Sequence, residues 1–444
     1  MSTIPLSKLP ASLLLWAILL SVSLSGCQII PLQTQPEPVA KVDNEVAPEA
    51  VEKHGFALTE GQTLIGTLAV MKSRENDTLP DIARHFGLGY NDITHANPFI
   101  EPWTPAPASQ VLLPIQFILP NTPHQGITLN LANMRLFYYP KTEPNKVYTY
   151  PIGIGRQGWN TPTGVTQIAG KKANPVWNVP PSIHQEHAQK GDPLPGSIGP
   201  GPDNPLGLYA MNLGFERYLI HGTNKPYGIG MQISHGCVQL YPEDIEVLFN
   251  KVAIGVPVRI VHQPYLTAWQ EGSLYLEANK PLSKWAGDKA RLKKQLLKDL
   301  KKISAKQNVS VDWEKVERII ERADGIPTPI LSQSPNEIHL AATAMPLKHP
   351  EHLYQQPAPE TIKASDWAAL VSRFDNGAEA QKLTVMLTHQ GPMIPAHKIQ
   401  KDNGYLVIAG PFKSKKELKN AAKRIRMNFD IDVEPLKPTT VSVD

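Results

Sequence analysis

Proline sets the strongest limit on this chain. It locks φ and has no N–H to donate, so it is kept out of helix interiors and central strands. Of 444 residues, 43 are proline, about twice the average share. They concentrate in three blocks: 28–55 (QIIPLQTQPEPVAKVDNEVAPEAVEKHG), 174–205 (NPVWNVPPSIHQEHAQKGDPLPGSIGPGPDNP) and 327–359. Such blocks read as linkers and long loops, and the length fits roughly two to four domains. Hydrophobic residues make up 41% of the chain, enough to build cores between the blocks. The net charge of +4 is too small to argue for nucleic acid.

Only 2 cysteines are present, which excludes a disulfide-dense scaffold and any four-cysteine metal site. The first follows Lys8, an apolar stretch from Ala11 to Leu24, and Leu24-Ser25-Gly26-Cys27. The apolar stretch is too short for a comfortable membrane span and suits a signal-peptide core. The ending resembles a bacterial lipobox. That resemblance implies removal of residues 1–26, lipid on Cys27, and a Gram-negative periplasmic lipoprotein. Gln28, rather than Asp, implies the outer membrane. Residues 27–55 then read as a tether. A lipidated Cys27 leaves Cys237 as a free thiol in an oxidising compartment.

Residues 56–119 read as a small module: a strand at Thr67–Lys72, a helix capped by Thr78 and stopped at Gly87, a short helix near Asn91–Ala96, and a strand closing at Pro114. This β-α-α-β order, with N-D-T-L, I-A-R-H-F-G, I-T-H-A-N-P and V-L-L-P, resembles a LysM domain. The resemblance implies binding to peptidoglycan sugar.

Residues 126–263 carry closely spaced strands, at 127–131, 135–139, 147–154, 164–168 and 256–261, with a helix starting at Pro242. Such spacing without long helices predicts a mainly β domain, a sandwich or barrel-like sheet, with small α+β domains at its flanks. The stretch 174–205 reads as a structureless loop of the kind that forms a lid or lines a substrate cleft.

Between Lys280 and Lys306 there are nine Lys and one Arg against two Asp, a local charge of +8. Leu292, Leu296, Leu300 and Ile303 share one helical face. The plainest reading is an exposed helix whose leucines pack on the preceding domain; a membrane surface or an anionic polymer is the other reading. Residues 327–359 read as a second linker. Residues 364–437 read β-α-β-β-α-β, and Gly404–Phe412 followed by a Lys-rich helix resembles a SPOR domain, another peptidoglycan-binding fold.

The chemistry gathers in LIHGTNKPYGIGMQISHGCVQL, where His221-Gly222-Thr223 precedes Ser234-His235-Gly236-Cys237. A free thiol titrates near 8.5, so attack at neutral pH calls for a base or a positive environment. His221 and His235 are both candidates, and spacing alone does not choose between them. Gly236 permits a turn that aims backbone N–H groups at one point, as an oxyanion site needs. Gly222, Gly228 and Gly230 allow a peptide to approach closely. Zinc bound by His221, His235 and Cys237 lacks any supporting C-x-x-C or H-E-x-x-H pattern, so no metal and no cofactor is expected.

This constellation resembles the YkuD-type L,D-transpeptidase family over about residues 126–263. The resemblance implies that Cys237 is the nucleophile and His221 its base. It gives the Gly222 carbonyl the task of orienting the ring, and it places Ser234, His235 and Gly236 around the oxyanion. Asn224, Tyr227 and Gln239 are assigned to substrate binding. Many members carry Arg or Asn where this chain has Gln239; Gln keeps hydrogen bonding but loses the charge and the fork. The implied reaction is acyl transfer on peptidoglycan stems. It gives a 3→3 cross-link or attaches a lipoprotein, with hydrolysis and non-catalytic tethering as rivals.

Overall fold

The computed structural model describes residues 50–438 apart from 190, 192, 336–341, 402 and 403. The signal peptide, Cys27 and most of the tether lie outside the described residues. Among those described, no helix is long and apolar enough to cross a membrane.

Thr78 starts the first helix as its residue type predicts. Its Oγ1 accepts from the Asp81 N–H at 3.0 Å, and its hydroxyl donates to Asp81 Oδ2 at 2.8 Å. After a short strand β1 (Gly55–Ala57), the expected β-α-α-β order follows: β2 (Leu64–Lys72), α1 (Leu79–His85), α2 (Tyr90–Ala96) and β3 (Gln110–Ile118). β2 and β3 pair antiparallel from Leu64↔Ile118 to Lys72↔Gln110.

The next hairpin, β4 (Gly126–Asn130) and β5 (Arg135–Tyr139), is buried at every residue. Alternate side chains point to opposite faces, so both faces must be covered. Leu136 and Tyr138 enter the main core. Phe137 and Tyr139 enter a second core, with Val147, Ile82, Phe86 and Leu113. The β-α-α-β module therefore shares a core with the sheet behind it. Arg135, also buried, pairs with Asp92 at 2.8 Å and lies 3.9 Å from the Phe117 ring centre.

The chain continues through β6 (Lys146–Pro151), β7 (Ile154–Gly155), β8 (Gly164–Ala173), β9 (Trp177–Asn178), β10 (Ser197–Ile198), β11 (Tyr209–Leu213), β12 (Leu219–His221), β13 (Gln232–Ser234), β14 (Val238–Gln239) and β15 (Pro257–Val261). Among the described residues, nine strands form one sheet in the order β1-β6-β5-β4-β15-β8-β11-β12-β14. The mainly β class is as expected. β15 lies inside this sheet, parallel to β4 and antiparallel to β8. The 174–205 stretch is not structureless either. β9 pairs with β10, and Pro181–Gln189 forms a helix, α3. A fourth helix, α4 (Pro242–Lys251), starts at its proline.

Residues after 263 depart most from expectation. A hairpin, β16 (Tyr265–Gln270) and β17 (Ser273–Ala278), precedes α5 (Lys289–Gln307) and α6 (Trp313–Arg322), and β18 (Thr328–Pro329) joins the hairpin. Leu296 and Leu300 pack on Leu274, Leu276, Val316 and Ile319, not on the preceding domain. The second proline block is pinned rather than free. Its β19 (Met345–Pro346) pairs with β2, and His349 Nε2 lies 2.8 Å from Asp77 Oδ2.

The last module follows the expected order: β20 (Trp367–Phe374), α7 (Gly377–Thr388), β21 (Ala396–Lys401), β22 (Gly404–Phe412), α8 (Lys415–Phe429) and β23 (Glu434–Leu436), in a sheet ordered β21-β22-β20-β23.

Candidate active site

β12 and β14 run parallel with Ile220 opposite Val238 and His221 opposite Gln239. Cys237 lies just before β14, two residues ahead of the Gln239 that stands opposite His221. The turn feeding β14 depends on Gly236, at φ +107°, where an added Cβ would stand 2.9 Å from the Tyr218 ring.

Three hydroxyl contacts fix that turn. The Ser234 hydroxyl donates to the Cys237 carbonyl at 2.6 Å, and its oxygen accepts from the Gly236 N–H at 3.1 Å. The Thr161 hydroxyl donates to the Gly236 carbonyl at 2.8 Å. With both carbonyls held by side chains, the peptide planes of residues 236 and 237 are oriented before any ligand arrives.

His221 is buried, and its Nδ1 sits 2.6 Å from the Gly222 carbonyl. A carbonyl only accepts, so Nδ1 carries the proton and Nε2 keeps its lone pair. Burial pushes the imidazole down to about 4, against hydrogen bonds to the Gly222 and Leu206 carbonyls. Burial pushes the Cys237 thiol up. Both shifts favour a neutral thiol and a neutral imidazole over an ion pair. The partly buried thiol donates to the Arg217 carbonyl at 3.8 Å, and Arg217 itself holds φ +70° at the tip joining β11 to β12.

His235 is placed differently. Its Nε2 lies 3.1 Å from Glu186 Oε2 on α3 and 2.9 Å from an Arg156 guanidinium nitrogen. Its ring meets Trp159 edge-on, and Arg156 bonds Glu186 at 2.6 Å. This cluster ties the 174–205 segment to the Cys237 turn. Burial lowers the imidazole, with the Glu186 hydrogen bond opposing it.

The structure brings His221, Gly222, Ser234, His235, Gly236, Cys237 and Gln239 to one seam. Gln239 Oε1 is buried there without a hydrogen-bond partner. The other two expected substrate residues are drawn elsewhere. Asn224 Nδ2 donates to the Asp203 carbonyl at 3.2 Å. The Tyr227 hydroxyl donates to Asp81 Oδ1 at 3.2 Å, and its ring lies 4.3 Å from that of His389. Tyr227 therefore serves an interface between modules rather than an open cleft. Among the described residues, no group of three His, Cys, Asp or Glu is arranged to hold a metal.

Residues 124–260 match the YkuD family model, described as an L,D-transpeptidase catalytic domain, and residues 363–431 match the SPOR domain. Probable L,D-transpeptidase YbiS of Escherichia coli K12 is 42% identical over 229 residues, 51% of this chain and 74% of that protein. Probable L,D-transpeptidase ErfK/SrfK of the same strain is 38% identical over 280 residues, 62% of this chain and 90% of that protein. This chain belongs to the L,D-transpeptidase family. A solved catalytic domain of the E. faecium L,D-transpeptidase is 22% identical and covers 32% of this chain and 99% of that one, with a TM-score of 0.24. The two matched domains make the chain an L,D-transpeptidase of the cell envelope that acts on peptidoglycan.

Sequence reasoning missed Thr161, Arg156, Glu186 and Trp159 in this transpeptidase. They are far from the motif along the chain, and no spacing marks them. Glu186 alone carried a signal, since it lies in the segment expected to cover the cleft.

Proposed function

We propose that Cys237 and His221 form the acyl-transfer pair, and that the product is a wall linkage made through a stem-peptide thioester. The observation that supports it is the β12–β14 register, in which His221 stands opposite Gln239, two residues beyond Cys237. His221 Nε2 takes the thiol proton as sulfur attacks the amide between meso-diaminopimelate and the terminal D-Ala. Backbone N–H groups of the Cys237 turn, other than that of Gly236, which donates to Ser234 Oγ, stabilise the oxyanion. The C–N bond then breaks, and the proton passes from His221 to the leaving amine. An amine of a second stem attacks the thioester to give a 3→3 cross-link; a lysine of a lipoprotein is the alternative acceptor.

Support for the pair comes from the Nδ1 bond to Gly222, which leaves Nε2 as the acceptor, and from the commitment of His235 to Glu186. Lipid on Cys27 would hold the enzyme at the outer membrane, and the β-α-α-β module would add a glycan contact. The test is mass spectrometry of muropeptides after incubation of tetrapeptide stems with the enzyme and with Cys237→Ala. Cross-linked dimers are expected from the first alone. Equal dimer yield from both would overturn the assignment, and tripeptide without dimers would point to water as acceptor.

A further inference from the structure

The unit formed by β16 to β18, α5 and α6 lies between the two matched segments, so neither match gives it a task. Its α5 is divided lengthwise. Leu296 and Leu300 are buried in the unit's own core. The opposite side carries Lys294, Lys298, Lys301, Lys302 and Lys306, all exposed. Helical spacing of 100° per residue sets these five within an arc of about 140°, and the stripe runs roughly 18 Å. Few charges answer it. Arg291 pairs with Asp288, Lys293 pairs with Glu317, and Asp299 accepts from Gln295. Lys301 Nζ stands 5.9 Å from the Trp313 ring centre, and Trp313 is 38% exposed.

Such a surface attracts a polyanion. A bilayer-surface helix needs a free apolar stripe to insert beneath its basic one. Here that stripe is already buried against β17 and α6. The occupant that fits is a hydrated polymer carrying regularly placed carboxylates, with sugar faces for the one half-exposed indole.

We infer that the lysine face of α5, with Trp313 at its side, is an electrostatic docking surface for the carboxylates of peptidoglycan stems. It is separate from the Cys237 seam. The inference rests on the reading of peptidoglycan as substrate and adds a binding site to it. Contacts of this kind are screened by salt, so they hold the enzyme on the wall while allowing it to slide.

The test compares the full mature chain with K294E/K298E/K301E/K302E, and with the same four positions changed to Gln. Binding to purified sacculi is followed by sedimentation from 50 to 300 mM salt, chosen to span roughly one change in Debye length from 14 to 6 Å. Wild-type binding should fall steeply with salt. The Glu variant should bind about tenfold more weakly at the lowest salt, and the Gln variant by less, both with flatter salt curves. Sacculi whose carboxylates have been amidated should lose the wild-type advantage. Turnover of soluble tetrapeptide stems should be equal in all three proteins, which keeps this result separate from failure of the Cys237 assignment. Unchanged sacculus binding in both variants would overturn the inference. So would a loss seen only on phosphatidylglycerol vesicles, which would give the face to a membrane.

Discussion

His389 Nε2 lies 3.0 Å from Asp81 Oδ2, and the two residues are 308 positions apart in the chain. Asp81 opens the first helix of the β-α-α-β module, and His389 ends α7 of the SPOR module. The Tyr227 hydroxyl, from the catalytic domain, donates to the other carboxylate oxygen. One buried carboxylate thus joins three modules, and the Gly391 backbone packs against Asn224 beside it.

That node predicts how the SPOR module is released. Removing one partner of a buried hydrogen-bonded group costs about 1–3 kcal/mol. His389→Ala should therefore loosen the module without unfolding the catalytic domain. Hydrogen exchange should rise in α7 and around Asn224–Tyr227, with the β4–β5 hairpin unchanged. Protection equal to wild type in α7 would show that the node does not hold the module.

Ser234 should prove to be a positioning residue. Its hydroxyl touches both the Gly236 N–H and the Cys237 carbonyl. Ser234→Ala should lower kcat by roughly tenfold to a hundredfold through misplacement of the turn. Alkylation of Cys237 should persist, and KM should change little. Thr should restore part of kcat. A loss confined to KM would argue for direct contact with substrate.

The neutral thiol–imidazole state has a pH signature. With the thiol raised and His221 lowered to about 4, little resting thiolate is present at pH 7. Iodoacetamide labelling of Cys237 should keep rising into the alkaline range rather than reach a plateau near neutrality. A plateau by pH 6 would indicate a resting ion pair.

Stability should respond to pH in two opposed ways. Buried His221 and partly buried His54 are each lowered to about 4. The unfolded chain binds more protons below the usual histidine range, so their contribution is complete above about 6.5 and is lost as pH falls toward 4. Burial raises Glu277 to about 7, against hydrogen bonds from Ile118, Asn133 and Asn279. The folded protein binds more protons there, so stability falls as pH rises from about 4.5 to 7, by on the order of 3 kcal/mol. Glu277→Gln should remove that decline between pH about 4.5 and 7. Scanning calorimetry from pH 5 to 8 should show the variant gaining on wild type as pH rises; parallel curves would contradict it.

What could be read from the chain differs by region for physical reasons. Several elements of 56–119 and 364–437 were legible because caps and breakers mark them: Thr78, Gly87 and Ser414. His221 and Cys237 were legible through a motif, while the choice between His221 and His235 needed the third dimension. The hairpin at 265–278 was hidden although Leu266, Ala268, Leu274 and Leu276 alternate as a half-buried strand pair should. The lysine-rich helix beside it drew the reading toward linker and surface. Helix α3 buries only Ile183, so its sequence lacks an apolar face to announce it. Asp81 meeting His389 has no local signal at all.

The core shared by Phe137, Tyr139 and Val147 with Ile82, Phe86 and Leu113 changes what can be exchanged in this protein. A graft made at residue 119 or 120 would leave aromatic side chains of one partner facing water in both products. Recombination would succeed only where the incoming piece brought its own matching apolar face. The first module and the catalytic sheet thus behave as one unit, and a chain without that module would need another cover for the back of β5.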